Sequence, residues 1–185
     1  MSETVRALIV YESMFGNTER VAQAIRDGLR GSLPADMVPV YQAPSAIPAD
    51  VRLLVVGGPT HAFSMSRVTT RQEAWKQADV VMPIEVGIRE WLSVLGIDTQ
   101  DASGRPASRL EVATFDTRIA KGRRLPGSAA RAAAKVLRRM GFRLTSSASF
   151  FVDETTGPIS EVEVERARHW GEELGSILTG SSTAV

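Results

Sequence analysis

Short β-rich apolar runs alternate with segments of helical periodicity along almost the whole chain, and this alternation narrows the fold more than any other feature. It is the signature of helices packed on a parallel sheet. Residues 5–11 (VRALIVY) form an unbroken apolar run, as expected of a strand covered on both faces. A helix follows over 18–30, with Val21, Ala22, Ile25, Gly28 and Leu29 on one face and Arg20, Arg26 and Arg30 away from it. Residues 37–41 read as a weaker strand, and Pro39 places it at a sheet edge. Residues 51–57 (VRLLVVG) read as a strong central strand.

The second half continues the pattern. A helix is expected over 70–77, with Thr70 and Glu73 spaced as a capping box. Another is expected over 86–95, with Ile88, Trp91, Leu92 and Leu95 inward and Gly96 as its stop. A fourth strand covers 110–115. A helix over 128–140 has Ser128 as N-cap and Gly141 as stop, and a fifth strand covers 143–152. The last helix starts near Ser160, again with a capping-box spacing to Glu163, and runs to about residue 178. The tail 180–185 is expected to be disordered.

Five strands with intervening helices predict an α/β, doubly wound parallel sheet in the order 2-1-3-4-5. Its ligand crevice lies where the first and third strands diverge. The 185 residues suit one domain over 1–185, with an ordered core of about 5–178. About fifty residues between 59 and 108 exceed one crossover helix. The extra segment around 79–85 either overhangs the crevice, makes a dimer contact or is an ordinary surface insertion.

The chain has no cysteine, which excludes disulfides, thiolate metal sites, iron–sulfur clusters and thiol catalysis. Redox chemistry here therefore requires a bound cofactor. A formal net charge of +1 argues for neither nucleic acid nor a membrane surface. No apolar run approaches the roughly 20 residues of a membrane helix. The N-terminus lacks a signal-peptide pattern, so a cytoplasmic location is expected.

The loop between the first strand and the first helix reads Ser13, Met14, Phe15, Gly16, Asn17, Thr18. Its polar side chains are hydroxyls or an amide, and Gly16 permits a sharp turn. A helix N-terminus can hold a phosphate on its free N–H groups without lysine. The same residues could instead merely cap the helix. The Gly-Lys-Ser/Thr of a P-loop is absent.

The longer stretch from Ile9 to Ile25 resembles the flavodoxin signature at every defined position: two aliphatics, an aromatic, then Ser, a small residue, Thr, Ala and a closing aliphatic. The resemblance runs more loosely over about residues 5–178. It implies a flavodoxin-like fold, an FMN cofactor whose phosphate is wrapped by residues 13–18, and a bacterial source. Pro59, Thr60, His61, Ala62 and Phe63 follow a Gly-Gly start similar to the Gly-x-Pro-Thr loop of flavodoxin-like reductases. That likeness places them beside the flavin ring, with Phe63 covering a face or, alternatively, buried in the core. His61 is either a satisfied polar residue or a proton donor to reduced flavin or quinone. By position, the resemblance carries the second ring contact onto Thr114, Phe115, Asp116, Thr117 and Arg118.

Here the chain departs from familiar flavodoxins. Residues 118–143 carry nine Lys or Arg and no acidic residue. Arg118 is expected to favour anionic reduced flavin, or else to point to solvent or pair with Asp116. The charges of the 128–140 helix read as a solvated face, whereas 118–124 is a candidate for docking a partner or attracting an anionic substrate. No aromatics interleave with these charges, which argues against nucleic acid.

Three functions are compatible with these features. The first is an FMN-binding electron-transfer flavoprotein. The second is a two-electron FMN-dependent NAD(P)H:quinone reductase. The third is a non-redox binding or regulatory protein of the same fold. The expected partners are redox proteins or a quinone or nicotinamide, with the chain a monomer or homodimer.

Overall fold

A computed structural model describes residues 5–77, 82–96 and 110–181. The strands are β1 (Arg6–Tyr11), β2 (Ala35–Pro39), β3 (Val51–His61), β4 (Ser64–Met65), β5 (Glu111–Ile119) and β6 (Arg143–Val152). The helices are α1 (Asn17–Leu29), α2 (Val68–Trp75), α3 (Ile88–Val94), α4 (Ala129–Arg139) and α5 (Glu161–Ser181). Five strands pair in parallel in the order β2-β1-β3-β5-β6, which is the expected 2-1-3-4-5. The sixth, β4, is a two-residue antiparallel return against the end of β3. Expected residues 79–81 and 182–185 lie outside the described residues, while 180–181 close α5. No described helix is long and apolar enough to cross a membrane.

Alternation along β1 explains its unbroken apolar run. Ala7, Ile9 and Tyr11 enter the core under α1 and α5, and Leu8 and Val10 enter the core under α3 and α4. Pro39 ends the edge strand, where its missing N–H removes no ladder bond from a central strand. The strand itself starts two residues earlier than expected, and residues 40–42 turn as a 3-10 helix.

Helices α1 and α5 meet backbone to backbone. A Cβ on Gly28 would overlap the carbonyl of Arg168, and one on Gly171 would overlap that of Ile25. Glycine at both positions is therefore a packing requirement, and it seats α5 against the helix that follows the first loop.

Other boundaries differ from expectation as well: β3 runs to His61, four residues beyond its expected end, so Pro59, Thr60 and His61 are strand residues where a loop was expected. Helix α2 begins at Val68, and Thr70 sits inside its first turn, where its hydroxyl accepts from the N–H of Arg67 at 2.9 Å. Strand β5 runs to Ile119, four residues beyond the expected end, because Thr114 through Ile119 all find partners on β6. Thr114 to Arg118 are thus strand residues, not a loop.

Candidate functional site

At the carboxyl edge of the sheet, the loop after β1 and the ends of β3 and β5 enclose an open crevice of about 250 Å³. Its position is the divergence of β1 and β3, where ligands bind in open α/β sheets.

One wall is the start of α1. Gly16 takes a left-handed conformation (φ 85°), the conformation that glycine adopts without a Cβ clash. Ser13 Oγ accepts from the N–H of Glu19 at 3.2 Å, leaving its own O–H to donate. Asn17 is buried and its Oδ1 accepts from the N–H of Ile159 at 2.9 Å, so its amide NH₂ keeps its donors. The Thr18 hydroxyl pairs with that of Thr117 at 2.7 Å. The N–H groups of residues 14–18 meet no protein acceptor among the described residues.

Every other helix start has side-chain partners. At α4, the N–H of Ala129 donates to Thr60 Oγ1 (2.9 Å), that of Ala130 to Asp116 Oδ2 (2.9 Å) and that of Arg131 to Ser128 Oγ (3.3 Å). At α3, Glu12 Oε2 accepts from Ile88 and Glu90 Oε2 from Gly87, both at 2.9 Å. Thr70 serves α2, and Ser160 serves α5 through the N–H of Glu163 at 3.3 Å. Among the described residues, the α1 start leaves five successive N–H groups without an acceptor, together with the positive end of its dipole.

The opposite wall comes from β3, α2 and β5. Pro59, Thr60, His61 and Ala62 line it, as do Thr117, Arg118 and Ile119. Helix α2 adds Thr70, Glu73 and Ala74, and the turn after it adds Gln77, a contribution the sequence did not single out because its helical face has no motif. Burial holds the His61 imidazole below its ordinary value, with the Arg71 charge acting in the same direction, so it is neutral at pH 7.

Several expected site residues lie elsewhere. Ala62 and Phe63 both have positive φ (46° and 64°), a strained turn for non-glycine residues that swings Phe63 outward. Phe63 is 53% exposed, so it is not a core residue, and it does not line the crevice as it stands. Thr114 and Phe115 are fully buried: Thr114 donates to Ser147 Oγ, and Phe115 packs edge-on to Phe150 and Trp170. Asp116 faces α4, as described. Gly16 lies at the loop's outer side. The crevice brings together Ser13, Met14, Phe15, Asn17, Thr18, Pro59, Thr60, His61, Ala62, Thr117 and Arg118.

Arg118 neither reaches solvent nor pairs with Asp116. Its side chain is nine-tenths buried, and its Nη2 donates to the carbonyls of Gly122 (2.6 Å) and Leu125 (3.2 Å). Lys121, Arg123 and Arg124 are exposed, with Arg123 stacked 4.3 Å over the Phe151 ring. On α4, Arg131, Lys135 and Arg138 lie on the solvent face, as the helical spacing predicts.

Below the crevice sits a buried polar knot. Glu12, 1% exposed, accepts from Ser66 Oγ at 2.5 Å as well as from Ile88. Arg71, 2% exposed, donates to Ser66 Oγ (2.6 Å), to the carbonyls of Ile84 (2.6 Å) and Glu85 (3.4 Å), and to Glu90 (2.8 Å). Burial pushes the Glu12 carboxyl above its ordinary value. The knot ties the segments around 66, 71 and 84–90 to the end of β1, and so fixes the α2 wall.

No family model and no curated protein sequence matches the chain. Among solved structures it is similar to a flavodoxin from the domain Archaea (15% identity, TM-score 0.58, 95% of this chain and 99% of the other covered). It is also similar to the flavodoxin of Streptococcus pneumonia TIGR4 (18%, 0.59, 94% and 99%) and to flavodoxin 2 from Bacillus cereus (18%, 0.58, 95% and 99%). The chain has the flavodoxin-like fold.

Proposed function

We propose that the crevice binds FMN and that the protein is an electron-transfer flavoprotein, passing electrons between redox partners. The observation that carries this reading is the contrast among helix starts: α3 and α4 have carboxylate or hydroxyl acceptors, whereas α1 offers the N–H groups of residues 14–18 to something outside the chain. The donor set fits a phosphate monoester. It is neutral, it is convergent, and a helix dipole lies behind it. The crevice beyond it has room for a planar ring between residues 59–62 and 117–119.

When bound, the flavin supplies one- and two-electron redox chemistry, which this chain's own side chains lack. The chain's part is to hold and surround it. The α1 amides, the Ser13 hydroxyl and the Asn17 NH₂ bind the phosphate. The Thr18–Thr117 pair fixes the spacing between the two walls. Neutral His61 adds no charge at the β3 side and has a ring nitrogen able to give or take a proton.

The test is a spectral titration of the purified protein with FMN and with riboflavin, followed by anaerobic photoreduction in small steps. Uptake of FMN at least tenfold tighter than riboflavin, with an accumulating one-electron-reduced spectrum, is the expected result. Passage straight to the two-electron-reduced spectrum would instead favour a quinone or nicotinamide reductase. A protein that takes up neither flavin overturns the proposal.

A further inference from the structure

Among the described residues two arginines, Arg71 and Arg118, are deeply buried, and they are satisfied very differently. Arg71 makes four hydrogen bonds of 2.6 to 3.4 Å, one of them to a carboxylate. Arg118 makes two, both from one nitrogen and both to carbonyls. Its Nε is buried without a partner, and among the described residues no carboxylate comes within ion-pair distance. A buried cation without a counter-charge is expensive, because burial removes its water and two carbonyls replace that water only in part. This one lines the ligand crevice.

We infer that the missing counter-charge is the ligand's: Arg118 holds the negative charge that develops on the flavin ring on reduction, and so makes this protein a weaker reductant than a carrier lacking that cation. The inference rests on the FMN reading above. Strand geometry separates Arg118 from the phosphate donors. Thr117 faces α1 and meets Thr18, so its neighbour Arg118 falls on the α4 side of β5, with its guanidinium anchored by the 122–125 turn. One anion is held at the α1 start by neutral groups. A second, present only in the reduced state, is held by a full charge across the crevice.

The electron balance is simple. Two electrons and one proton added to an oxidised flavin leave one negative charge on the ring, and a second proton would neutralise it. A fixed cation beside that charge makes the second proton unnecessary near neutral pH. Because Arg118 is pre-anchored by two carbonyls, little reorganisation accompanies the reduction.

The experiment compares wild type, Arg118→Gln and Arg118→Lys, each loaded with FMN, by spectroelectrochemical titration from pH 6 to pH 8. In Arg118→Gln, the preference for reduced over oxidised FMN falls about tenfold, a drop of about 30 mV in the two-electron midpoint. Proton uptake per electron pair rises from one towards two. Arg118→Lys retains most of the wild-type behaviour. If Arg118 is only a clamp on the 122–125 turn, Arg118→Gln weakens both redox states equally and the midpoint stays put, which overturns the inference. If it holds the phosphate instead, the variant loses discrimination between FMN and riboflavin with no redox dependence, which also overturns it. A wild type that takes up no FMN overturns the functional reading and this inference together, and is seen before any variant is made.

Discussion

The starts of α1 and α4 face the same edge of the same sheet, yet they are finished in opposite ways. At α4, Thr60, Asp116 and Ser128 accept from three successive N–H groups. At α1, one hydroxyl serves Glu19, and the five residues before it are left without protein acceptors. The difference shows how one sheet edge assigns tasks to its helices. A start closed by side chains contributes stability, and a start left open keeps its donors for an acceptor from outside the chain, at some cost in stability. The third start on this edge, α3, is closed by the buried Glu12.

The contrast is sharpest when a closed start is opened. Asp116→Ala strips α4 of a buried charged acceptor and is expected to lose about 2 kcal/mol in urea unfolding of the ligand-free protein. A loss below about 0.5 kcal/mol would mean that the α4 start needs no closing. The α3 start gives a pH signature. Because burial raises the Glu12 carboxyl in the native state, that state keeps a proton that the unfolded chain has already released. Stability therefore falls as pH rises from about 4.3, the unfolded value, up through the native one, by at most about 1.4 kcal/mol per pH unit. Glu12→Gln is expected to flatten that slope, and an unchanged slope would assign it to another group. The smallest stability effect belongs to the open start. Ser13→Ala costs under about 1 kcal/mol without ligand, yet it reduces the preference for FMN over riboflavin roughly fivefold, about 1 kcal/mol. Equal losses for the two flavins would separate Ser13 from the phosphate.

The same contrast governs what the sequence made legible. The open start is written contiguously. Its donors fall within residues 13–18, and the glycine that turns the chain sits among them, so a short window is enough to read it. The opposite wall is assembled from residues that meet only after folding. Nothing local in the sequence indicates that Glu12, Ser66, Arg71 and Glu90 form one knot, or that α2 lines the crevice. The strand order followed from alternation and one edge proline. The end of β5 did not, because polar residues at 116–118 resemble a loop, whereas tertiary pairing with β6 keeps them extended. That shift moved Thr114 and Phe115 inside. The core alternative for Phe63 failed for a different reason: two consecutive left-handed residues, which turn it outward, are a conformation that no propensity scale anticipates.

The close seating of α5 on α1 has a consequence for how the molecule is made. Asn17, in the first loop, is fixed by the N–H of Ile159, 142 positions later. Val21, Ile25 and Leu29 share a core with Ala167, Trp170 and Leu174. On the ribosome, the first loop and α1 emerge well before α5 and wait, with one flank wet, until α5 has been synthesised. Flavin added to a stalled nascent chain ending before residue 159 is expected to find no finished pocket, so on the proposed function any loading would follow translation of α5.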